Sequence, residues 1–462
     1  MLPKQKRVGF AATDPSSALH CSTPVRESWM LFRKLILFAL GALVLSIKAD
    51  GRFPLPEQFP ETTFQLLLLP YSVVFVLIVV FFFKDDSRSG TSSVKPISLV
   101  QLAAAISIVY QLLICVILFR QDKEYSEFGY QLNRPAAVAI TLLSIALLAR
   151  LVRTKKSPEQ FLLTTSIIFA GTCTLSILCF PLHSGRSDML PLIQAAGKEF
   201  LAGSNPYTKY LLPHPVPLTY LPAMWMAYLP AVIFGFDLRF LHLLAVLSSM
   251  FIVYAVTSLK CRENVIPFCG LFLMIPYLQY RHEIYTGIFW LSLSLVFYSH
   301  MKNNPLVASV FLGVSAGVSQ FAWVLIPVML LKMNKQYGMK TTLTGFICCL
   351  VVACSIILPF ALQSPDAFYQ GVFGHWEGNL NVTAVNFSYF TSRIFSIPAL
   401  KYFQIVLLFG IYLIAARDAR PHQSTYEYMT YALMIFLLFN PLIWVYFYIS
   451  LFVLMTFHVG IE

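Results

Sequence analysis

Charged residues are scarce in this chain of 462 residues, because Asp, Glu, Lys and Arg together make up only 12% of it. A soluble domain carries roughly 25% charged residues, so the available charge cannot cover the surface of an ordinary soluble protein. Disorder is excluded as well, since 58% of the residues are apolar and 40 of them are Phe. The composition therefore indicates a protein that crosses a membrane several times.

Metal-binding cysteine motifs are also absent. The nine cysteines include no Cys-x-x-Cys pair and no Cys/His spacing typical of a zinc site. The net charge is +12, but the basic residues lie in short stretches between apolar runs, without the interleaved aromatic residues of a nucleic-acid groove. We therefore expect membrane lipids, and not nucleic acid, as partners.

Long apolar runs predict the fold class. A transmembrane helix needs about 20 mostly apolar residues, whereas the strands of a membrane barrel alternate apolar and polar residues. The chain therefore predicts an all-α polytopic transmembrane protein with about 13 or 14 helices. The last apolar run is too long for one span, and Asn440-Pro441 offers a break within it. The predicted runs are 31–48, 64–83, 98–119, 135–152, 161–181, 219–236, 240–259, 264–280, 284–299, 305–331, 341–361, 398–416 and 426–458.

The distribution of Lys and Arg predicts the orientation, because these residues concentrate in cytoplasmic loops. With the N-terminus inside, the densest basic loops fall inside, and the long loops 182–218 and 363–397 both fall outside. We divide the chain into a cytoplasmic tail (1–30), an N-terminal extension of four transmembrane helices (31–160) and a transmembrane core (161–462).

The first long loop predicts a short helix at the membrane interface. Ser187-Asp188 can cap its start, residues 189–202 collect apolar side chains on one side, and Gly203 ends it. A helix of this kind lies in the plane of the interface. It would hold Asp188 just above the lipid headgroups. Three cations accompany this carboxylate: Arg186, Lys198 and Lys209.

Several short motifs follow one another in a recognisable order. Asp188 precedes a run from Leu201 to Tyr207 that includes Asn205-Pro206-Tyr207, and Tyr220-Leu221-Pro222 comes next. In the second long loop, Phe373-Gly374-His375-Trp376 precedes Asn386-Phe387-Ser388. This order resembles the GT-C class of membrane-embedded glycosyltransferases, and within it the polyprenyl-phosphate-mannose-dependent mannosyltransferases of family GT87. The resemblance covers roughly residues 161–458.

The chain departs from that family at two places. Arg281-His282-Glu283 stands where the family often has a Gly-Gln pair, and Gln320 stands where a lysine is frequent. The predicted orientation places residues 281–283 on the cytoplasmic side. If one span is miscounted, they move outside and become a candidate for the donor site.

The resemblance implies an inverting hexosyltransferase that moves a sugar, with mannose favoured, from a polyprenyl-phosphate donor to a lipid-linked or glycan acceptor outside the cytoplasm. Phosphate is a good leaving group, so one carboxylate suffices as the base, whereas glycosidases need two. Asp188 is the predicted base and His375 a second catalytic residue, with Glu377 as the rival base. The predicted substrate-binding residues are Arg186, Lys198, Tyr207, Lys209, Tyr220, Trp376, Asn386 and Arg393.

Other interpretations stay open. A transporter or flippase of a lipid-linked glycan would share the hydropathy and the basic interface, and a non-catalytic membrane scaffold is a third class. Asp188 can be a simple helix cap, and Trp376 a headgroup anchor. We expect no cofactor, because no acidic cluster demands a metal, although Asp188 and the donor phosphate could together recruit a divalent ion. A bacterial inner or plasma membrane is favoured over the endoplasmic reticulum.

Overall fold

The computed structural model describes residues 99–126, 129–153, 157–184, 189–212, 214–257, 259, 262–274, 285–374, 401–418 and 423–440, with seven single positions between 447 and 457. The predicted tail 1–30 and the first two predicted spans lie outside the described residues. The described part of the chain is mostly helical, with one hairpin of two short strands.

The helices and strands follow one another along the chain with short connections. They are α1 (Leu99–Ser126), α2 (Arg134–Arg153), α3 (Pro158–Cys179), α4 (Met189–Leu201), β1 (Lys209–Leu212), β2 (His214–Pro217), α5 (Pro222–Met226), α6 (Leu229–Phe234), α7 (Arg239–Val256), α8 (Arg262–Leu273), α9 (Gly287–Met301), α10 (Pro305–Val318), a 3-10 turn (Gln320–Ala322), α11 (Ile326–Gln363), α12 (Pro365–Val372), α13 (Lys401–Arg417) and α14 (Gln423–Phe439).

Five of these helices are long and apolar enough to cross a membrane: α1, α2, α3, α7 and α11. Shorter apolar helices, among them α9, α10 and α14, pack beside them. The prediction of an all-α membrane protein is therefore confirmed. The full number of spans and the GT-C architecture stay predictions.

Contacts between helix termini define two ends of the helical bundle. At one end, Gln101 Nε2 donates to Val152 O at 2.8 Å, and Arg262 lies 3.9 Å from Glu159. We call this the far end. At the other end, the rings of Tyr125 and Phe180 lie 4.8 Å apart. We call it the loop end, because the chain from α4 to α6 begins beside it.

The predicted span 219–236 is wrong. This segment forms two helices of five and six residues, α5 and α6, each about 9 Å long at most. After them, the buried Arg239 donates from Nη2 to Ile177 O at 3.1 Å, at the C-terminal end of α3. The chain has thus returned to the loop end without crossing. Pro230 at the start of α6 prevents α5 from continuing, and the left-handed Gly235 ends α6.

The predicted span 305–331 is also wrong, because the chain reverses inside it. Helix α10 leads away from the far end, and the first part of α11 leads back, so that the Tyr337 hydroxyl lies 3.3 Å from Asn303 Oδ1. Gly338, with a φ of 80°, then turns the chain again within α11. We call residues 305–337 the re-entrant hairpin. An uninterrupted apolar run conceals this reversal from any hydropathy window.

Small residues let the second part of α11 pack closely on α10. A Cβ atom added at Gly313 would lie 2.5 Å from Cys349 O, and one at Gly345 would lie 2.5 Å from Ser309 Oγ. Such close backbone approach through small residues is a common way for helices to associate in membranes. The seam runs parallel along both helices and holds the re-entrant hairpin against the second part of α11.

The two errors offset each other. One predicted crossing is absent and one extra reversal is present, so the described parts of the loops 182–218 and 363–397 lie at the same end under both layouts. Helix α14 ends at Phe439, which agrees with the break predicted at Asn440-Pro441. Which side of the membrane the loop end faces stays a prediction.

Single-cysteine labelling distinguishes the two layouts. The exposed residues Lys302 and Lys340 both lie at the far end, so Lys302→Cys and Lys340→Cys, each in a cysteine-free background, are expected to react with an impermeant maleimide from the same side. Ser204→Cys at the loop end is the control and should react from the opposite side. Labelling of positions 302 and 340 from opposite sides would contradict the hairpin.

Candidate functional site

The loop end carries a compact unit that does not cross the membrane. The predicted short helix is confirmed as α4, and Gly203 follows it with a left-handed φ of 79°, whereas its position at the membrane interface stays a prediction. Its apolar face is buried, with Leu192 and Ile193 at 1% exposure or less. Lys198 lies on its exposed face. The sequence pattern thus predicted both the helix and the direction of its polar side.

Tyr207 joins two of the motifs that the sequence singled out. Its backbone N–H donates to the Asn205 side chain at 2.9 Å, which forms the turn at Asn205-Pro206-Tyr207. Its hydroxyl donates to the Tyr220 carbonyl at 2.8 Å, and burial raises the pKa of this phenol. Only 3% of the residue is exposed. Tyr207 therefore links the two motifs through hydrogen bonds made from a buried position, whereas its predicted contact with substrate stays a prediction.

The strand hairpin adds a second phenol to the unit. The Tyr210 hydroxyl donates to Pro206 O at 2.6 Å. Burial, followed by the nearby carboxylate of Glu199, raises the pKa of Tyr210. The phenol therefore stays neutral at physiological pH and serves as a hydrogen-bond donor. Lys209, on the adjacent position of β1, is exposed.

Tyr220 connects the unit to the transmembrane core. Its ring lies 4.5 Å from the ring of Tyr285 in an edge-on arrangement, and the Tyr228 hydroxyl lies 3.4 Å from Tyr285 O. Residues 281–283 lie outside the described residues. Tyr285, the first described residue after them, lies at the loop end.

The second long loop packs directly on the first. The Phe368 ring of α12 lies 4.7 Å from the Tyr207 ring. Gly371 approaches the carbonyl oxygen of Leu218 so closely that even a Cβ atom would collide with it. The described parts of the two loops are therefore in contact, as the sequence analysis expected for a shared site.

The turn of the re-entrant hairpin lies against the second loop. Gln320 Nε2 donates to Val372 O at 3.1 Å, and the Trp323 ring lies 6.0 Å from the Phe373 ring. The first loop, α12 and this turn thus meet around Val372, just before the predicted His375. Position 320 stood out in the sequence only as a departure from the family pattern, and its contact with Val372 was not predicted.

The remaining predicted site residues fall in segments that the structure does not describe. Outside the described residues lie Asp188, Arg186, His375, Trp376, Glu377, Asn386 and Arg393. Among the described residues, no group of three or more His, Cys, Asp or Glu side chains could hold a metal ion.

Two buried ionic interactions are not indicated by the hydropathy pattern. Arg239, which lies between two predicted spans, is 1% exposed and binds the Asp237 carboxylate with Nε at 2.9 Å and Nη2 at 2.6 Å. Lys332, which directly follows a predicted span, is fully buried, with Nζ 3.6 Å from the Asp418 carboxylate and 4.8 Å from the Tyr428 ring. The spacing Asp237-x-Arg239 is a local signal, but nothing in the sequence connects Lys332 to Asp418.

The fold and the apolar helices define a class of protein, namely an all-α integral membrane protein with a structured unit at one end of its bundle. No known protein family, curated protein or solved structure matches the chain.

Proposed function

We propose that this protein is an integral-membrane glycosyltransferase. It would move a hexose, with mannose favoured, from a polyprenyl-phosphate donor to a lipid-linked or glycan acceptor, with inversion at the sugar. We further propose that the loop end faces away from the cytoplasm, in a bacterial inner or plasma membrane. This proposal rests on the resemblance of the loop motifs to the GT-C enzymes and on the chemistry that those residues could perform.

The contact between the two long loops is the observation that carries the proposal. Transfer from a lipid phosphate needs a base, a phosphate clamp and an acceptor site on the same side of the membrane. Asp188 directly precedes α4, and His375 follows the last described residue of the second loop, Gly374. Because Tyr207 packs on Phe368, the elements next to these two predicted catalytic residues belong to one packed unit.

Two exposed cations support the same chemistry. Lys198 on α4 and Lys209 on β1 are exposed at the loop end, where a donor phosphate could pair with them through charge-assisted hydrogen bonds. Tyr207 and Tyr220 would keep this surface in place under the substrates. Asp188 would take the proton of the acceptor hydroxyl as the sugar leaves the phosphate.

Replacement of the predicted base tests the proposal. Asp188→Asn keeps the size of the side chain and removes its basicity, so we expect transfer to fall about 100- to 10,000-fold. The assay uses membranes with a panel of radiolabelled polyprenyl-phosphate sugars. Glu199→Gln, an exposed carboxylate on the same helix, is the matched control and should retain activity.

Other outcomes separate the alternatives. Full activity in Asp188→Asn would reject this residue as the base and leave Glu377 as its rival. The unaltered protein could fail to transfer sugar from every donor while a lipid-linked glycan still crosses the bilayer. That result would reject the glycosyltransferase and support a flippase.

A further inference from the structure

The turn of the re-entrant hairpin lies where several elements of the loop end meet. The Phe321 ring lies 6.0 Å from the ring of Phe289, near the start of α9, and a Cβ atom added at Gly317 would lie 3.3 Å from Ala223 of α5. Phe321 is 7% exposed and Ala322 is fully buried. Polar groups in such buried surroundings need hydrogen-bond partners within the protein.

Hydrogen bonds within the hairpin and one from α13 satisfy backbone groups of the turn. Ser319 Oγ accepts from Phe321 N at 3.3 Å, and Trp323 N donates to Gln320 O at 3.0 Å. The Tyr412 hydroxyl of α13 donates to Val324 O at 2.9 Å. The side chain of Gln320 takes no part in these bonds.

Gln320 instead bonds the end of α12. Its amide Nε2 donates to Val372 O at 3.1 Å, and Val372 is the last residue of that helix. Carbonyl groups in the final turn of a helix have no partner within the helix. Val372 is 2% exposed, so water cannot readily replace the glutamine. The bond thus fixes the point at which the chain leaves α12.

Helix α12 is also held by the first loop. Gly371 touches Leu218 O, and Phe368 packs on Tyr207. The end of α12 is therefore fixed both by a backbone contact from the first loop and by a side-chain hydrogen bond from the turn of the hairpin. Residues 375 and 376, which follow three and four positions after Val372, carry predicted roles in catalysis and substrate binding.

We propose that Gln320 is a positioning residue, which fixes the point and the direction in which the second loop leaves α12. Its effect on transfer rests on the function proposed above, whereas its effect on the loop does not. The substitution Gln320→Met keeps the length of the side chain and removes the donor. The matched control is Gln336→Met, in the same hairpin, because Gln336 Nε2 makes a comparable bond to Asn303 Oδ1 at 3.3 Å, but at the far end.

The experiment has two readouts. The first is the rate at which an impermeant maleimide labels Gly374→Cys in a cysteine-free background, which we expect Gln320→Met to raise about three- to tenfold, as loss of one hydrogen bond allows. The second is transfer of sugar, for which we expect kcat to fall by a similar factor while KM for the donor changes little. Gln336→Met should alter neither quantity.

The outcomes separate this inference from the proposed function. An unchanged labelling rate in Gln320→Met overturns the inference, even if the protein is an active transferase. A raised rate in a protein that transfers no sugar supports the positioning of the loop and rejects the transferase. An equal rise in labelling in Gln320→Met and Gln336→Met would indicate a general loosening of the hairpin and would overturn a role specific to Gln320.

Discussion

Asp237→Ala is expected to lower the free energy of unfolding by about 3–5 kcal/mol. The guanidinium of Arg239 is buried at 1% exposure, and it binds the Asp237 carboxylate through two of its nitrogens. Removal of the carboxylate deprives the buried guanidinium of two charge-assisted hydrogen bonds. The measurement is unfolding in mixed detergent micelles, followed by the loss of helical signal.

Two further variants test the physical cause. Asp366→Ala removes an exposed carboxylate from the first turn of α12 and should cost at most about 1 kcal/mol. The double variant Asp237→Ala/Arg239→Met removes both charges, and we expect it to recover most of the lost stability. A cost for Asp237→Ala no larger than that of Asp366→Ala would reject an important role for this ion pair.

Gly371→Val is expected to separate the two long loops. The new side chain would begin inside the contact distance of Leu218 O, a backbone atom that cannot move away without shifting the chain after β2. We expect a stability loss of about 1–3 kcal/mol from overpacking and, if the protein is a transferase, a loss of transfer of about tenfold or more, as misplacement of reacting groups produces. The readouts are unfolding and the radiolabelled donor assay.

Gly410→Val is the matched control for this substitution. Gly410 lies in α13, and a Cβ atom added there would have no neighbouring atom within 4 Å. Valine also has a slightly better helix propensity than glycine. We therefore expect a change in unfolding free energy within about 0.5 kcal/mol. Equal effects at positions 371 and 410 would show that the contact with Leu218 does not matter.

The sequence predicted features that depend on local pattern. The scarcity of charge predicted the membrane, the spacing of apolar residues predicted α4, and Gly203 predicted its end. The motifs at Tyr207 and Tyr220 were identified as belonging together. Their actual connection, a buried hydroxyl that bonds a backbone carbonyl, required the folded structure.

Features that depend on the direction of the chain could not be predicted in the same way. Hydropathy records how apolar a segment is, and residues 305–331 are apolar whether they cross once or turn back. Residues 219–236 are similarly apolar, but they lie at one end of the bundle as two short helices. The Lys332–Asp418 pair joins residues that are 86 positions apart, so no local pattern indicates it.

The re-entrant hairpin also has a consequence for biogenesis. Helix α10 has 14 residues, fewer than the roughly 20 that a spanning helix needs, so it gains little from lipid alone. The irregular turn after it exposes peptide groups that hydrocarbon does not tolerate. Its close-packed partner residues, Gly345 and Cys349, are synthesised after it. The ribosome therefore synthesises the hairpin before the helix against which it packs. Residues 305–337 have to be shielded from lipid until the rest of α11 has been synthesised.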